Sequence, residues 1–197
     1  MEDLKYPDDG RIVTKIALDS GLIIGCETNG QPIQFPYSLF GGGGGAIQIA
    51  TLWGELATGV AEGNLSVGIT KRLLNQYNDP HSLIPSLSDS IFTLGAGTYF
   101  LLGNCPSAFT GGSGQRTSRV YLLDDYDDSI LLEGSGGACL STTYAQESLM
   151  IFNFLSIEEE TGCYLGHYSS HAQTNGMGIP TGDGNPEIYS QVAIAKL

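Results

Sequence analysis

His167 and His171 are separated by three residues, a spacing that on a helix brings two imidazoles to one metal ion. Here Cys163 to Tyr168 runs as a strand into Ser169-Ser-His171, and along a strand and its following loop such side chains point apart. With no third ligand nearby, the pair reads as structural or surface histidines and zinc is not expected. Asp124-Asp125-Tyr126-Asp127-Asp128 crowds hard oxygen ligands of the kind that hold Ca²⁺, but lacks the glycine and twelfth-position glutamate of an EF-hand. A turn that begins and ends on solvated aspartates accounts for the same residues, and the sequence leaves both readings open. Glu158, Glu159 and Glu160 read as a solvated surface run.

Hydrolytic chemistry finds little support. Two carboxylates at the correct separation would suffice for a glycosidase, but such enzymes need a long aromatic-lined groove and the chain has one tryptophan, Trp53. Serine, histidine and aspartate are present without a nucleophile-elbow pattern, and Gly41 to Gly45 lacks the Lys-Ser/Thr that follows a phosphate-cradling loop. No catalytic residue, metal or cofactor is therefore assigned. Cys26, Cys105, Cys139 and Cys163 form no Cys-x-x-Cys pair. Cys105 and Cys163 flank strand-like runs and are expected to be small buried hydrophobes, with free thiols favoured by synthesis in a reducing cytoplasm.

Charge excludes further classes. Eight Lys and Arg face 21 Asp and Glu, a formal net charge of −13, and no basic residue occurs from Val120 to Ala195. Binding of a nucleic-acid backbone by that half is not expected. No run of 18 apolar residues suggests membrane insertion, and Met1-Glu2-Asp3 does not open a signal peptide, so a soluble, unexported chain is expected.

The elements that must position these residues are strands. Glycine appears 28 times without a triplet period, which suits tight turns in an all-β protein. Arg11 to Leu18 and Leu22 to Cys26, joined at Asp19-Ser-Gly21, read as a hairpin arm, with Asn29-Gly30 as a second turn signal and Gly41 to Gly45 as a hinge. Residues 1–45 thus form an appendage and 46–197 the main domain. Candidate strands there are 46–53, 66–75, 90–94, 98–102, 116–123, 129–132, 149–155, 163–168 and 187–197. The glycine-rich stretches 111–114 and 134–137 read as breaks between them. Short, evenly punctuated strands predict a double-sheet jelly-roll sandwich. In the last strand Ile188, Val192 and Ile194 are expected on a core face, and Gln191, Ala193 and Ala195 on a small-residue face open to a neighbour.

The order of several short motifs carries a resemblance. These are Gly63-x-x-Ser66-x-Gly68-x-x-x-Arg72-x-Leu74-Asn75, Phe92-Thr-Leu-x-Ala96-Gly97-Thr98-Tyr99, Arg119-x-Tyr121, Gly176-Met-Gly178 and Glu187-Ile-Tyr-Ser-Gln-Val-x-Ile-x-Lys196. Together they resemble the trimeric jelly-roll domain of bacteriophage fibre and virion structural proteins, similar in fold to complement-type and tumour-necrosis-factor-like heads. Of the polar residues that surround the family's central strands, Arg119, Tyr121 and His167 are retained.

The resemblance implies a homotrimer built on the outer face of the terminal strand, through Tyr189, Gln191, Ala193 and Ala195. It implies a non-enzymatic virion protein, made in the host cytoplasm, whose arm docks to other virion proteins. The head would contact the host surface, or alternatively decorate the capsid as a head-fibre protein. Variable loops supply the candidate receptor residues Tyr144, His171, Gln173 and Asn175, whose ring and amide groups suit a neutral host glycan.

Overall fold

The computed structural model describes residues 47–109, 116–139 and 145–197 and, before them, the strands 15–19, 22–26 and 32–36. The expected hinge at Gly41 to Gly45, the break at 111–114 and Tyr144 lie outside the described residues. The chain divides into two units, residues 1–46 and 47–197. The first holds an antiparallel meander of β1 (Lys15–Asp19), β2 (Leu22–Cys26) and β3 (Pro32–Pro36). Asp19 faces Leu22 and Lys15 faces Cys26, so the expected hairpin is present, and β3 extends it to three strands.

The second unit has no helix among its described residues. It comprises β4 (Gln48–Leu56), β5 (Gly68–Lys71), β6 (Gln76–Asn78), β7 (Leu87–Ser88), β8 (Ile91–Leu94), β9 (Gly97–Phe109), β10 (Arg116–Asp124), β11 (Ile130–Cys139), β12 (Ala145–Ile157), β13 (Thr161–Ser169) and β14 (Glu187–Lys196). One sheet runs β11-β10-β13-β8-β7, with β5 also on β13; the other runs β12-β9-β14-β4-β6, and every pairing is antiparallel. This is the expected jelly-roll sandwich. Alternation places Ala50 and Leu52, Leu101 and Cys105, Val120 and Leu122, Leu149 and Ile151, Cys163 and Leu165, and Val192 and Ile194 between the sheets. Period-two burial from both sheets is what closes the core.

The outer face of the five-stranded sheet can be read off the register. Met150, Asn104, Gln191, Trp53 and Gln76 form one row across it. Phe152, Leu102, Ala193, Thr51 and Asn78 form the next, and Phe154, Phe100, Ala195 and Ile49 the third. No charged side chain occurs in these rows.

Two expectations need correction. The stretch Gly134 to Gly137 is not a break but lies within β11. A Cβ on Gly134 would meet Val120 Cγ1 at 2.5 Å and the Met150 carbonyl oxygen at 2.6 Å, so the absence of a side chain lets β11 approach β10 and β12 closely. In β14, a register shift between Ile188 and Gln191 turns the strand over. Ile188 is consequently exposed, on the side opposite Val192 and Ile194, while Tyr189 is buried. Tyr189 therefore does not share the outer face with Gln191, Ala193 and Ala195.

Gly134→Ala is expected to destabilise the fold by about 1–3 kcal/mol through overpacking. Gly95→Ala, where an added Cβ meets nothing within 4 Å, should leave stability near wild type. Urea midpoints of the two variants check the contrast; equal midpoints would remove the packing explanation for the glycines of β11.

Candidate functional site

Arg72, the residue after β5, is fully buried, and all five of its N–H groups are paired. Its Nε donates to Ser190 Oγ at 2.8 Å. Nη1 donates to the Pro106 carbonyl at 2.9 Å and to His167 Nδ1 at 3.1 Å. Nη2 donates to Glu62 Oε2 at 2.5 Å and to the Met177 carbonyl at 2.7 Å. One guanidinium thus joins β9, β13, β14 and the segments around Glu62 and Met177, bridging the two sheets.

The partners are themselves held. Glu62 Oε1 accepts the Leu73 N–H at 2.8 Å, and its side chain, like that of Arg72, is 0% exposed. Burial raises the Glu62 pKa, while Arg72, Leu73 and Ser190 pull it down. Pro106 lies past the last pairing of β9 with β14, Asn104 with Gln191, where β9 keeps one partner strand and a missing N–H is tolerated. Because guanidinium can only donate, His167 Nδ1 accepts and its proton sits on Nε2. That Nε2 is buried without a hydrogen-bond partner. Burial and then the nearby Arg72 charge push the His167 pKa down to about 3. Cys105, also close to Arg72 and Ser190, is a free buried thiol pushed up to about 11 by burial, and Cys163 is likewise pushed up to about 12. Neither is a nucleophile at neutral pH.

Around this hub the connecting segments are fastened to one another. Leu65 and Gln173 exchange two backbone hydrogen bonds at 2.9 Å, and the Met177 N–H reaches the Gly63 carbonyl at 3.2 Å. Gly178, at φ +150°, has the Tyr189 ring where its Cβ would stand, and the Tyr189 hydroxyl donates to the Val60 carbonyl at 2.8 Å. The Glu187 carboxylate accepts the backbone N–H groups of Thr181 at 3.0 Å, Gly182 at 2.9 Å and Gly59 at 3.0 Å, plus the Thr181 hydroxyl at 3.1 Å. Those donors, Thr181 first, draw its pKa down to about 2.

The residues expected at the surface separate into two groups. His171 and Asn175 are exposed, His171 Nδ1 lying 2.8 Å from Ser170 Oγ and the Asn175 N–H donating to Asn64 Oδ1 at 2.9 Å. Gln173 is buried instead, with its backbone in the Leu65 bridge and its side-chain oxygen accepting from Arg116. It is a structural residue and is unavailable to a receptor. His167 and His171, one buried and one exposed, do not converge. The aspartate cluster is a turn: Asp124 Oδ1 accepts the Tyr126 N–H at 2.8 Å, Asp127 Oδ1 the Ser129 N–H at 2.9 Å, and Asp128 Oδ1 the Tyr164 hydroxyl at 2.6 Å. Glu62, Pro106 and Ser190 escaped the sequence reading because their distances in sequence from Arg72 say nothing of a shared partner; the hints were the adjacency of Glu62 to the Gly63 motif and the place of Ser190 inside the motif that ends at Lys196.

No family profile matches the chain, and no curated protein matches it either. Solved structures do. The crystal structure of murine APRIL at pH 5.0 is similar at a TM-score of 0.50 and 10% identity, covering 77% of this chain and 100% of that one. The structures of murine APRIL at pH 8.5 and pH 8.0 give TM-scores of 0.45 and 0.46 at 12% and 10% identity, with the same coverages. The pH 5.0 comparison alone carries the fold: the chain has an all-β jelly roll of the tumour-necrosis-factor-like type.

Glu62→Ala strands a buried guanidinium and should cost about 3–5 kcal/mol in denaturant unfolding. Replacing the pair together, Glu62→Leu with Arg72→Met, should recover part of that loss; a double variant less stable than Glu62→Ala would contradict the pairing account. For His167 the folded pKa of about 3 lies below the unfolded value of about 6.5. The unfolded chain therefore takes up the proton first, so stability is intact above about pH 6.5 and declines as pH falls toward 3. His167→Asn, which keeps an acceptor in place of Nδ1, should flatten that decline relative to wild type; parallel stability profiles from pH 7 to 4 would exclude His167 as its source.

Proposed function

We propose that this chain is a non-enzymatic structural protein of a bacteriophage virion, a homotrimeric jelly-roll head joined through its N-terminal arm to other virion proteins and presented to the host surface. The observation that carries the reading is the outer face of the five-stranded sheet. Phe152 is 69% exposed and Phe154 61% exposed there, beside Leu102, Met150, Ile49 and Ile188. In a chain of net charge −13, three uncharged rows containing these side chains form an unusual surface. Exposed apolar patches of this breadth mark protein contacts.

The relief of the face supports a ring of copies. Phe100 packs edge-to-face on Phe152, with centroids 5.0 Å apart, and tilted on Phe154 at 5.2 Å, making a ridge on β9 and β12. Ala193 and Ala195 leave a furrow along β14. Ridge and furrow occupy different parts of one face, so a second copy fills the furrow by rotation, a heterologous contact that closes into a ring. Gln191, Ala193 and Ala195 belong to this proposed interface and Tyr189 does not. The role at the host surface rests on the resemblance of the sequence motifs to phage virion heads and on the exposure of His171 and Asn175.

Light scattering of the purified chain at micromolar concentration should give a mass three times that of one chain. Ala193→Arg places a charge in the furrow of every copy and should yield a folded species of lower mass. A wild-type monomer, or a trimeric Ala193→Arg variant, would defeat the assembly. Purified protein should also compete with adsorption of the parent phage to its host, and absence of competition at saturation would defeat the host-surface role.

A further inference from the structure

We propose a binding site for a neutral sugar on the opposite face of the sandwich, in a groove over β10, β11 and β13 centred on Arg119. The groove has a volume of about 500 Å³ and is lined by Thr117, Arg119, Tyr121, Gly136, Gly137 and Tyr168, among others. Its size falls within the range of small-molecule pockets. The register explains how it forms. Arg119 stands between Gly136 on β11 and Tyr168 on β13, and Tyr121 is the next outward residue along β10. With no side chain on Gly136, the Arg119 side chain lies across it, Nε being 3.3 Å from where a Cβ would be. Nη1 is then held by Glu133 Oε2 at 2.8 Å.

The chemistry matches a polyhydroxylated ring. Sugar hydroxyls both donate and accept, and the C–H face of the ring stacks on aromatics. Arg119 offers donors: among the described residues its Nε and Nη2 make no hydrogen bond, and its side chain is 43% exposed. Glu133, 60% exposed, offers an acceptor beside it. Tyr121 and Tyr168 supply rings, and among the described residues their hydroxyls have no protein partner. The buried tyrosines behave differently: Tyr99, Tyr164 and Tyr189 donate to Gly95, Asp128 and Val60. Glu133 offsets the Arg119 charge, so a phosphate, sulfate or carboxylate on the ligand would find no unpaired cation in the groove and would face the net −13 of the chain, which selects a neutral sugar over an anionic one.

The site differs from the loops that carry His171 and Asn175. It also stays open if the five-stranded sheet is covered, a point that rests on the trimer reading; three copies would then add avidity to a weak single site.

Saturation-transfer NMR on the full chain tests the proposal, using methyl glycosides of glucose, galactose, mannose, rhamnose and N-acetylglucosamine, with a heparin hexasaccharide and a neutral tripeptide as controls. At least one neutral glycoside should receive transfer. Tyr168→Ala and Arg119→Ala should each weaken its binding about tenfold, Tyr168→Phe less, and Tyr126→Ala, at an exposed tyrosine outside the groove, not at all. Transfer to none of the glycosides, to heparin or the peptide alone, or undiminished transfer in Tyr168→Ala would overturn the assignment. The measurement reads one site whatever the oligomeric state, so its failure is distinct from failure of the trimer.

Discussion

A guanidinium taken fully out of water must find a partner for each of its five hydrogens, and the rest of this jelly roll is arranged to supply them to Arg72. The acceptors come from Ser190, Pro106, His167, Glu62 and Met177, on segments up to 118 residues from Arg72 in the chain. An isolated buried charge costs several kcal/mol, so none of these segments can drift without exposing the others to that penalty. The hub thus ties these segments to one another. It fixes where β13 lies against β9 and β14, and it brings the segments around Gly63 and Met177 within reach of their shared backbone hydrogen bonds.

With the interior so specified, the two outer faces are free to differ. The five-stranded sheet presents uncharged rows with phenylalanines at one edge and alanines at the centre, while the other sheet presents tyrosines, an arginine paired with a glutamate, and glycines. Both faces are built by the same alternation that fills the core, since each strand that sends one residue inward sends the next outward. One face carries the proposed contact between copies of the chain and the other the proposed sugar groove. The Glu187 clamp and the Asp124 to Asp128 turn belong to neither, because their carboxylates are spent on backbone N–H groups and a tyrosine hydroxyl within the fold.

Local pattern was a good guide wherever local forces decide the outcome. The alternation of Val192 and Ile194, the turn at the aspartates and the burial of Cys105 and Cys163 were all legible because each depends on residues one to four positions away. Gln173 was misread for the opposite reason: its polar side chain and loop setting suggest exposure, but its backbone pairs with Leu65, more than a hundred residues earlier. Glu62 and Ser190 lie beside and within the quoted motifs, but nothing in their neighbourhood announces a buried cation.

By itself the sequence determined an all-β sandwich, an appended strand unit, an acidic chain, and an outer small-residue face at Gln191, Ala193 and Ala195. Period-two patterning and composition are enough for that, because burial of alternate apolar residues dominates the free energy of a sheet. Only the tertiary structure decided that Gly134 to Gly137 is strand, since the crowding by Val120 and Met150 comes from other strands. Only it decided that Tyr189 turns inward, since the shift between Ile188 and Gln191 is set by pairing with β4. The convergence on Arg72 and the groove at Arg119 are likewise tertiary facts: a hydrogen bond is satisfied by proximity in space, and a sequence records only proximity along the chain.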